Sequence, residues 1–309
     1  MLKHFLLLSS LIVVMQAATA GHTVTDTMLV RQHLVALTKQ NGYRNYEDTQ
    51  ALNKTAGYIR QVLLQHADTV YEQTYQVEGR TYRNVIASFG VRHAKRIIVG
   101  AHYDVCGKQE GADDNASGVA GLLELARQFK GRPLHKRIDL VAYTLEEPPF
   151  FRTKQMGSYV HAQSLKSMKA DVVGMISLEM IGYFRDEPGS QQYPHPALKD
   201  QYGDKGDFIS LVRLSRQDAF VDGFTQHFQA ANTIRSVPFA APAAVTGVDY
   251  SDHMNYWQMG ISALMITDTS FFRNHHYHQA GDKLETLDIT RLSKVVDGVL
   301  SAMLAMATG

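Results

Sequence analysis

Four short apolar runs constrain this chain more than any other feature: residues 96–100, 138–143, 172–178 and 263–266. Each is compact and rich in β-branched or large apolar side chains. Runs of that length without polar alternation read as strands covered on both faces. Segments with helical spacing lie between and after them. Residues 117–129 place Val119, Leu122, Leu123 and Ala126 on one face, and residues 208–228 and 288–307 do likewise. Asp288 and Thr290 suit the cap of the last helix. Upstream, residues 28–40 and 46–67 read as two helices, and residues 70–91 as two strands around Glu78-Gly79. This alternation implies an α/β domain with helices on both faces of a largely parallel sheet. No repeat or composition break divides residues 21–309, which read as a single domain. The polar, Gly- and Pro-containing stretch 185–206 is too long for a plain connector and reads as a lid or pocket wall.

Residues 1–20 read as a signal peptide rather than as part of the fold. Lys3 supplies the basic start, residues 5–15 are apolar apart from Ser9 and Ser10, and Ala18-Thr19-Ala20 is a small-x-small cleavage site. The mature chain is expected to begin at Gly21 and to be exported, to the periplasm or beyond. The apolar stretch falls short of the ~20 residues a spanning helix needs, so no stable membrane association is expected. With 31 Lys plus Arg against 30 Asp plus Glu, there is no electrostatic footprint for nucleic acid or an anionic membrane. The one cysteine, Cys106, cannot form a disulfide within the chain. It reads as a buried thiol or as a soft metal ligand.

Chemistry-bearing residues stand where the apolar runs stop. His102-Tyr103-Asp104 follows the first run, Glu146-Glu147 the second and Glu179 the third. In open α/β sheets, sites form beyond the carboxyl ends of parallel strands, so these groups converge without being close in sequence. His102 suits a metal ligand, and Asp104, two residues on, can accept its other ring N–H. Asp113-Asp114-Asn115-Ala116-Ser117-Gly118 is a loop entering a helix, and a carboxylate there can bridge two cations. Adjacent glutamates on a strand face opposite sides, so one of Glu146 and Glu147 can bind metal while the other handles a proton. His275, His276 and His278 cluster near Asp282, and spacing alone does not choose among them. Two imidazoles with several carboxylates form the ligand set of a two-metal hydrolase.

In this order, His-Tyr-Asp, Gly-Ala-Asp-Asp-Asn-Ala-Ser-Gly, Glu-Glu, Leu-Glu-Met-Ile-Gly, Ser-Asp-His and His-x-x-x-Asp resemble the zinc exopeptidases of the bacterial leucyl aminopeptidase type. Glutaminyl cyclases share their superfamily. The resemblance runs from about Val85 to the C-terminus. It implies a three-layer α/β/α sandwich around a mixed eight-stranded sheet. It implies Zn2+, two ions per chain with one as the variant case. One ion would be held by His102 and Glu179, the other by Glu147 and His278, with Asp114 bridging. Glu146 would be the general base, Asp104 would orient His102, and the Asp114–Asn115 peptide would be cis. Many relatives carry Asp where this chain has Glu179. Asp252 and His253 are expected in supporting or pocket structure.

The implied activity is removal of N-terminal residues from peptide substrates by a metal-activated hydroxide, with Glu146 taking the proton. A carboxypeptidase would need a basic clamp, for which Arg152 and Arg273 are candidates. One rival is a glutaminyl cyclase-like acyl transferase with one zinc. Another is a non-catalytic binding domain on the same fold. Phe150, Phe151, Tyr183, Phe184, Tyr256, Phe271 and Phe272 flank the motifs as candidate pocket walls.

Overall fold

A computed structural model describes residues 24–308. The leader expected at residues 1–20 and the new terminus at Gly21 lie outside the described residues. The strands are β1 (Thr69–Val77), β2 (Arg80–Phe89), β3 (Arg96–His102), β4 (Arg137–Tyr143), β5 (Val172–Leu178), β6 (Ile209–Leu214), β7 (Ser236–Ala241) and β8 (Ala263–Thr267). The helices are α1 (Thr27–Lys39), α2 (Thr49–Leu64), α3 (Gly118–Phe129), α4 (Gly157–Ser167), α5 (Ala197–Tyr202), α6 (Ala219–Ala231), α7 (His253–Gln258) and α8 (Ile289–Thr308). Aspartates start several helices. Asp26 accepts from Met28 N and Leu29 N, Asp48 from Ala51 N and Asp218 from Val221 N. Asp288, rather than Thr290, caps α8 by accepting from Arg291 N at 2.9 Å.

The eight strands form one sheet in the order β1-β2-β4-β3-β5-β8-β6-β7. The centre, β4-β3-β5-β8, is parallel throughout. The β1–β2, β2–β4 and β6–β8 pairs are antiparallel. Both faces are covered, as the uninterrupted apolar runs require. On β3, Ile97, Val99 and Ala101 enter a large core with α1, α2, α3, α6 and α8. Ile98 points the other way, into a core with Ala162 and Leu165 of α4 and Tyr256 of α7. The result is a three-layer α/β/α sandwich with a mixed, largely parallel sheet.

Residues 208–228, read from sequence as one helix, are instead β6 followed by α6. Ile209, Leu211 and Val212 are buried in the sheet, and the polar Ser215–Asp218 stretch breaks the chain before Asp218 caps α6. A short apolar run does not by itself separate strand from helix. The 185–206 stretch contains α5 and, as expected of a wall, contributes Gln191, Tyr193, Leu198 and Tyr202 to a pocket.

Candidate active site

Because β4, β3 and β5 are parallel neighbours, their carboxyl ends open on one edge of the sheet. His102 is the last residue of β3, and Glu179 directly follows β5. Glu146 and Glu147 follow β4 after Leu145, whose φ of +60° turns the chain out of the strand. Pro148–Pro149 is a cis pair that ends the segment. Asp114 lies in an irregular helical turn, Ala112–Ser117, leading into α3, and its bond to Asn115 is cis. Gly111 precedes this turn at φ +55°, and a Cβ there would lie 2.3 Å from Asp114 O. Only glycine accommodates both the backbone and that close approach. His278 enters from the loop after β8.

These side chains form two facing sets joined by one carboxylate. His102 Nε2 is 3.3 Å from Asp114 Oδ1 and 3.3 Å from Glu179 Oε2. His278 Nε2 is 3.2 Å from Asp114 Oδ2 and 3.0 Å from Glu147 Oε2. Both Nε2 atoms are sealed from solvent and make no hydrogen bond. Imidazole nitrogens converging on carboxylate oxygens without hydrogen bonds are the donor set of divalent cations. His102, Asp114 and Glu147 also offer ligand atoms within 4.8 Å of one another. Glu146 Oε2 is 3.8 Å from His102 Nε2, farther than either carboxylate paired with that ring.

Burial pushes Glu146 well above the carboxylate range, Glu179 upward and Glu147 up to about 8. Burial would lower His102, but Glu179, Glu146, Asp104 and Asp114 outweigh it and hold the ring well above its ordinary value. Burial would raise Asp114, yet His102 and His278 hold it well below the carboxylate range. Buried carboxylates and imidazoles so close together favour bound positive charge, as protons or as cations.

Asp104 does more than the sequence suggested. Its Oδ1 faces His102 Nδ1 at 3.5 Å, too long for a well-formed hydrogen bond. Its two oxygens accept instead from Glu146 N at 3.2 Å and Glu147 N at 3.1 Å. One carboxylate thus ties the end of β3 to the paired glutamates. Sequence reading also missed the supports of Glu179, whose Oε2 accepts from Ser251 Oγ at 2.7 Å and Asn115 Nδ2 at 3.3 Å. Asp282 accepts from the Asp113 and Asp114 backbone N–H groups. The available signals were Ser251 within Ser-Asp-His, Asn115 within Asp-Asp-Asn-Ala-Ser-Gly and Asp282 within His-x-x-x-Asp.

Asp252 is fully buried and does not line the cleft, and burial pushes its carboxyl up to about 7. His253 is buried against Trp257, its Nε2 2.8 Å from Val248 O. His278, and neither His275 nor His276, lines the cleft, and the backbone N–H of His276 donates to Asn274 Oδ1. Arg273 is buried and donates to Gln191 Oε1 and Tyr183 O, while Arg152 pairs with Asp249. Among the described residues, no lysine or arginine lines the cleft.

A cavity of ≈ 220 Å³ opens beside Asp114, Glu146, Glu147, Glu179 and His278. Of the aromatic candidates, Phe151, Phe271 and Phe272 line it, whereas Phe150, Tyr183, Phe184 and Tyr256 are buried elsewhere. Phe208, Phe239, Val212 and Tyr250 complete its apolar wall. Phe208 directly precedes β6, Val212 lies in β6 and Phe239 in β7, where the sequence offered no motif, whereas Tyr250 directly precedes Ser-Asp-His.

An α/β/α sandwich with this carboxylate–imidazole cluster at the strand ends defines a candidate metal centre. The chain belongs to peptidase family M28, which matches residues 84–303, and membership implies zinc. It is 42% identical over 268 residues to the protein YfbL of Escherichia coli strain K12, covering 84% of this chain and 82% of that one. The structure of the LapA aminopeptidase of Legionella pneumophila is similar, with a TM-score of 0.72 at 18% identity, covering 92% of this chain and 73% of that one. So is the glutaminyl cyclase of Fimbriiglobus ruber, with a TM-score of 0.71 at 19% identity, covering 90% of this chain and 94% of that one. The fold is shared by both and does not choose between them.

Proposed function

We propose that this protein is an exported zinc aminopeptidase that binds two ions and removes single, apolar N-terminal residues from peptides. The observation that carries this reading is Asp114, whose two oxygens serve two separate imidazole–carboxylate sets. His102 and Glu179 would hold one ion, Glu147 and His278 the other, and Asp114 both. Zinc in such a site polarises the scissile carbonyl and makes water nucleophilic at neutral pH.

Glu146 takes the proton from the attacking water and delivers it to the leaving amine. Its burial supports this role, because burial raises the carboxyl above its usual range and so makes it a stronger proton acceptor than an exposed glutamate. Asp104 fixes the backbone of Glu146 and Glu147, setting the position of the base against the cluster. The apolar cavity receives the side chain of the residue to be removed. The acidic rim suits the substrate's ammonium group, and the lack of a cation along the described cleft disfavours a terminal carboxylate.

A second reading, cyclisation of N-terminal glutamine, is favoured by the near-complete coverage of the cyclase structure. Two complete ligand sets weigh against it, because that reaction is expected to use one zinc. They also weigh against a non-catalytic binding domain. The test is hydrolysis of leucine 4-nitroanilide beside ammonia release from a glutamine-initiated peptide. Hydrolysis that chelation abolishes and two equivalents of zinc restore is expected. Ammonia release with one zinc and no amide hydrolysis would overturn the reading.

A further inference from the structure

We propose that Cys106 is a thiolate ligand of the metal held by Glu147 and His278, an inference that rests on the metal-centre reading above. Cys106, Glu147 and His278 each offer a ligand atom within 4.8 Å of the other two. The backbone N–H of Cys106 donates to Glu147 Oε1 at 3.0 Å, so the cysteine and the glutamate are already joined. His278 Nε2 faces this group, sealed from solvent and without a hydrogen bond. Its ring is held by stacking on Tyr277 at a centroid distance of 3.8 Å. Three donors of different chemistry therefore converge, one of them this sealed nitrogen.

The loop that presents Cys106 is built rather than loose. Val105 N donates to Arg44 O at 3.1 Å, and Asn45 Nδ2 donates to Gly107 O at 2.7 Å. The buried Arg44 guanidinium donates to the carbonyls of Glu110 and Gly111. Both flanks of Cys106 are thus pinned, and its half-buried side chain stays beside the cluster.

The consequence is an asymmetric pair of ions. The first site draws on His102, Glu179 and Asp114, three protein ligands with a position left open. The second draws on His278, Glu147, Asp114 and Cys106. Four protein ligands complete a tetrahedral zinc site, whereas catalytic zinc keeps a position for water or substrate. Thiolate ligation also favours zinc over magnesium or manganese. Binding breaks the S–H bond, forms a sulfur–metal bond and releases one proton to solvent, with no change of oxidation state. The second ion is then the better retained, and the open first site carries the water.

Cobalt(II) added to metal-free protein tests this through sulfur itself. Visible d–d bands report bound cobalt with any ligand, whereas a near-ultraviolet charge-transfer band requires thiolate. The expected result is a near-ultraviolet band complete at one equivalent, with visible bands growing to two. Cys106→Ser should lose the near-ultraviolet band and keep the visible ones. Visible bands in the unaltered protein without the near-ultraviolet band would overturn Cys106 ligation and leave the metal centre standing. No visible bands would overturn the metal centre and this inference with it. Because Cys106 is the only cysteine, its reaction with a disulfide reagent gives a second readout on the unaltered chain. One equivalent of zinc should block that reaction, and an unchanged rate would contradict the proposal.

Discussion

Glu146→Gln separates proton transfer from metal binding. Glu146 is 7% exposed, and its carboxylate accepts no hydrogen bond among the described residues. The amide has the same shape, so no structural contact is removed. Burial, with Glu179 and Glu147 beside it, already holds Glu146 upward, so a neutral amide adds no charge penalty in the metal-free protein. A lost acid–base group costs roughly 10²–10⁴ in rate, or about 3–5 kcal/mol of barrier at 1.4 kcal/mol per tenfold. The expected variant therefore folds, melts no lower than the parent, keeps its zinc and loses kcat by that factor with little change in KM. Glu147→Gln should behave oppositely, because Glu147 Oε2 lies 3.0 Å from His278 Nε2 and Oε1 accepts from Cys106 N. Its first defect should be zinc affinity. The assay is steady-state hydrolysis of leucine 4-nitroanilide, with zinc measured by mass spectrometry in the same samples. An unchanged kcat in fully loaded Glu146→Gln would refute its role as the base. Zinc loss in the Glu146 variant but not in the Glu147 variant would reverse the assignment.

Metal-free protein should lose stability as pH rises from about 6.5 to about 8, above the range in which His33, His161 and His253, lowered by burial to about 4, give the opposite slope. Burial raises Glu147 from 4.5 to about 8 and Asp282 from 3.8 to about 8. Groups raised on folding stabilise fully below their unfolded values, and that contribution disappears as pH passes the folded ones. Melting temperatures across this range, with and without zinc, should show a downward slope that zinc flattens; a rising slope without zinc would contradict the burial argument. Phe239→Ala should cut kcat/KM for leucyl and phenylalanyl substrates by roughly 10–200-fold, the range for altered apolar complementarity. Alanyl substrates should be affected much less, and equal losses for all three would place the side chain elsewhere. Intact mass of exported protein should begin at Gly21, and a chain retaining Met1 would sink the export proposal.

The central strands were legible because both faces of the sheet are covered, which makes each strand a continuous apolar run. The same rule failed at 208–228, where Ile209–Leu214 resembles a turn of buried helix and only the polar Ser215–Asp218 stretch marks the break. Strand β7 passed unread because Pro238 and its alternating burial weaken the signal of an edge strand. Within the site, His102, Glu146, Glu147 and Glu179 were legible because parallel strands deliver their ends to one edge. The supports were not. Asp104 accepts backbone N–H groups more than 40 positions away, and Ser251 reaches Glu179 from 72 positions away. Only the folded chain creates such pairings. The apolar cavity was half legible: Phe151, Phe271 and Phe272 flank motifs, whereas Val212 and Phe239 belong to strands at the far side of the sheet.

The most direct test of the aminopeptidase reading is mass spectrometry of one leucine-initiated peptide offered in three forms to the zinc-loaded protein. The forms are the free peptide, the N-acetylated peptide and the C-terminally amidated peptide. Loss of single N-terminal residues from the free and amidated forms, with the acetylated form untouched, is predicted. Cleavage of the acetylated form with protection of the amidated one would contradict the account. It would mean that the cleft recognises a carboxylate despite having no described lysine or arginine along its wall.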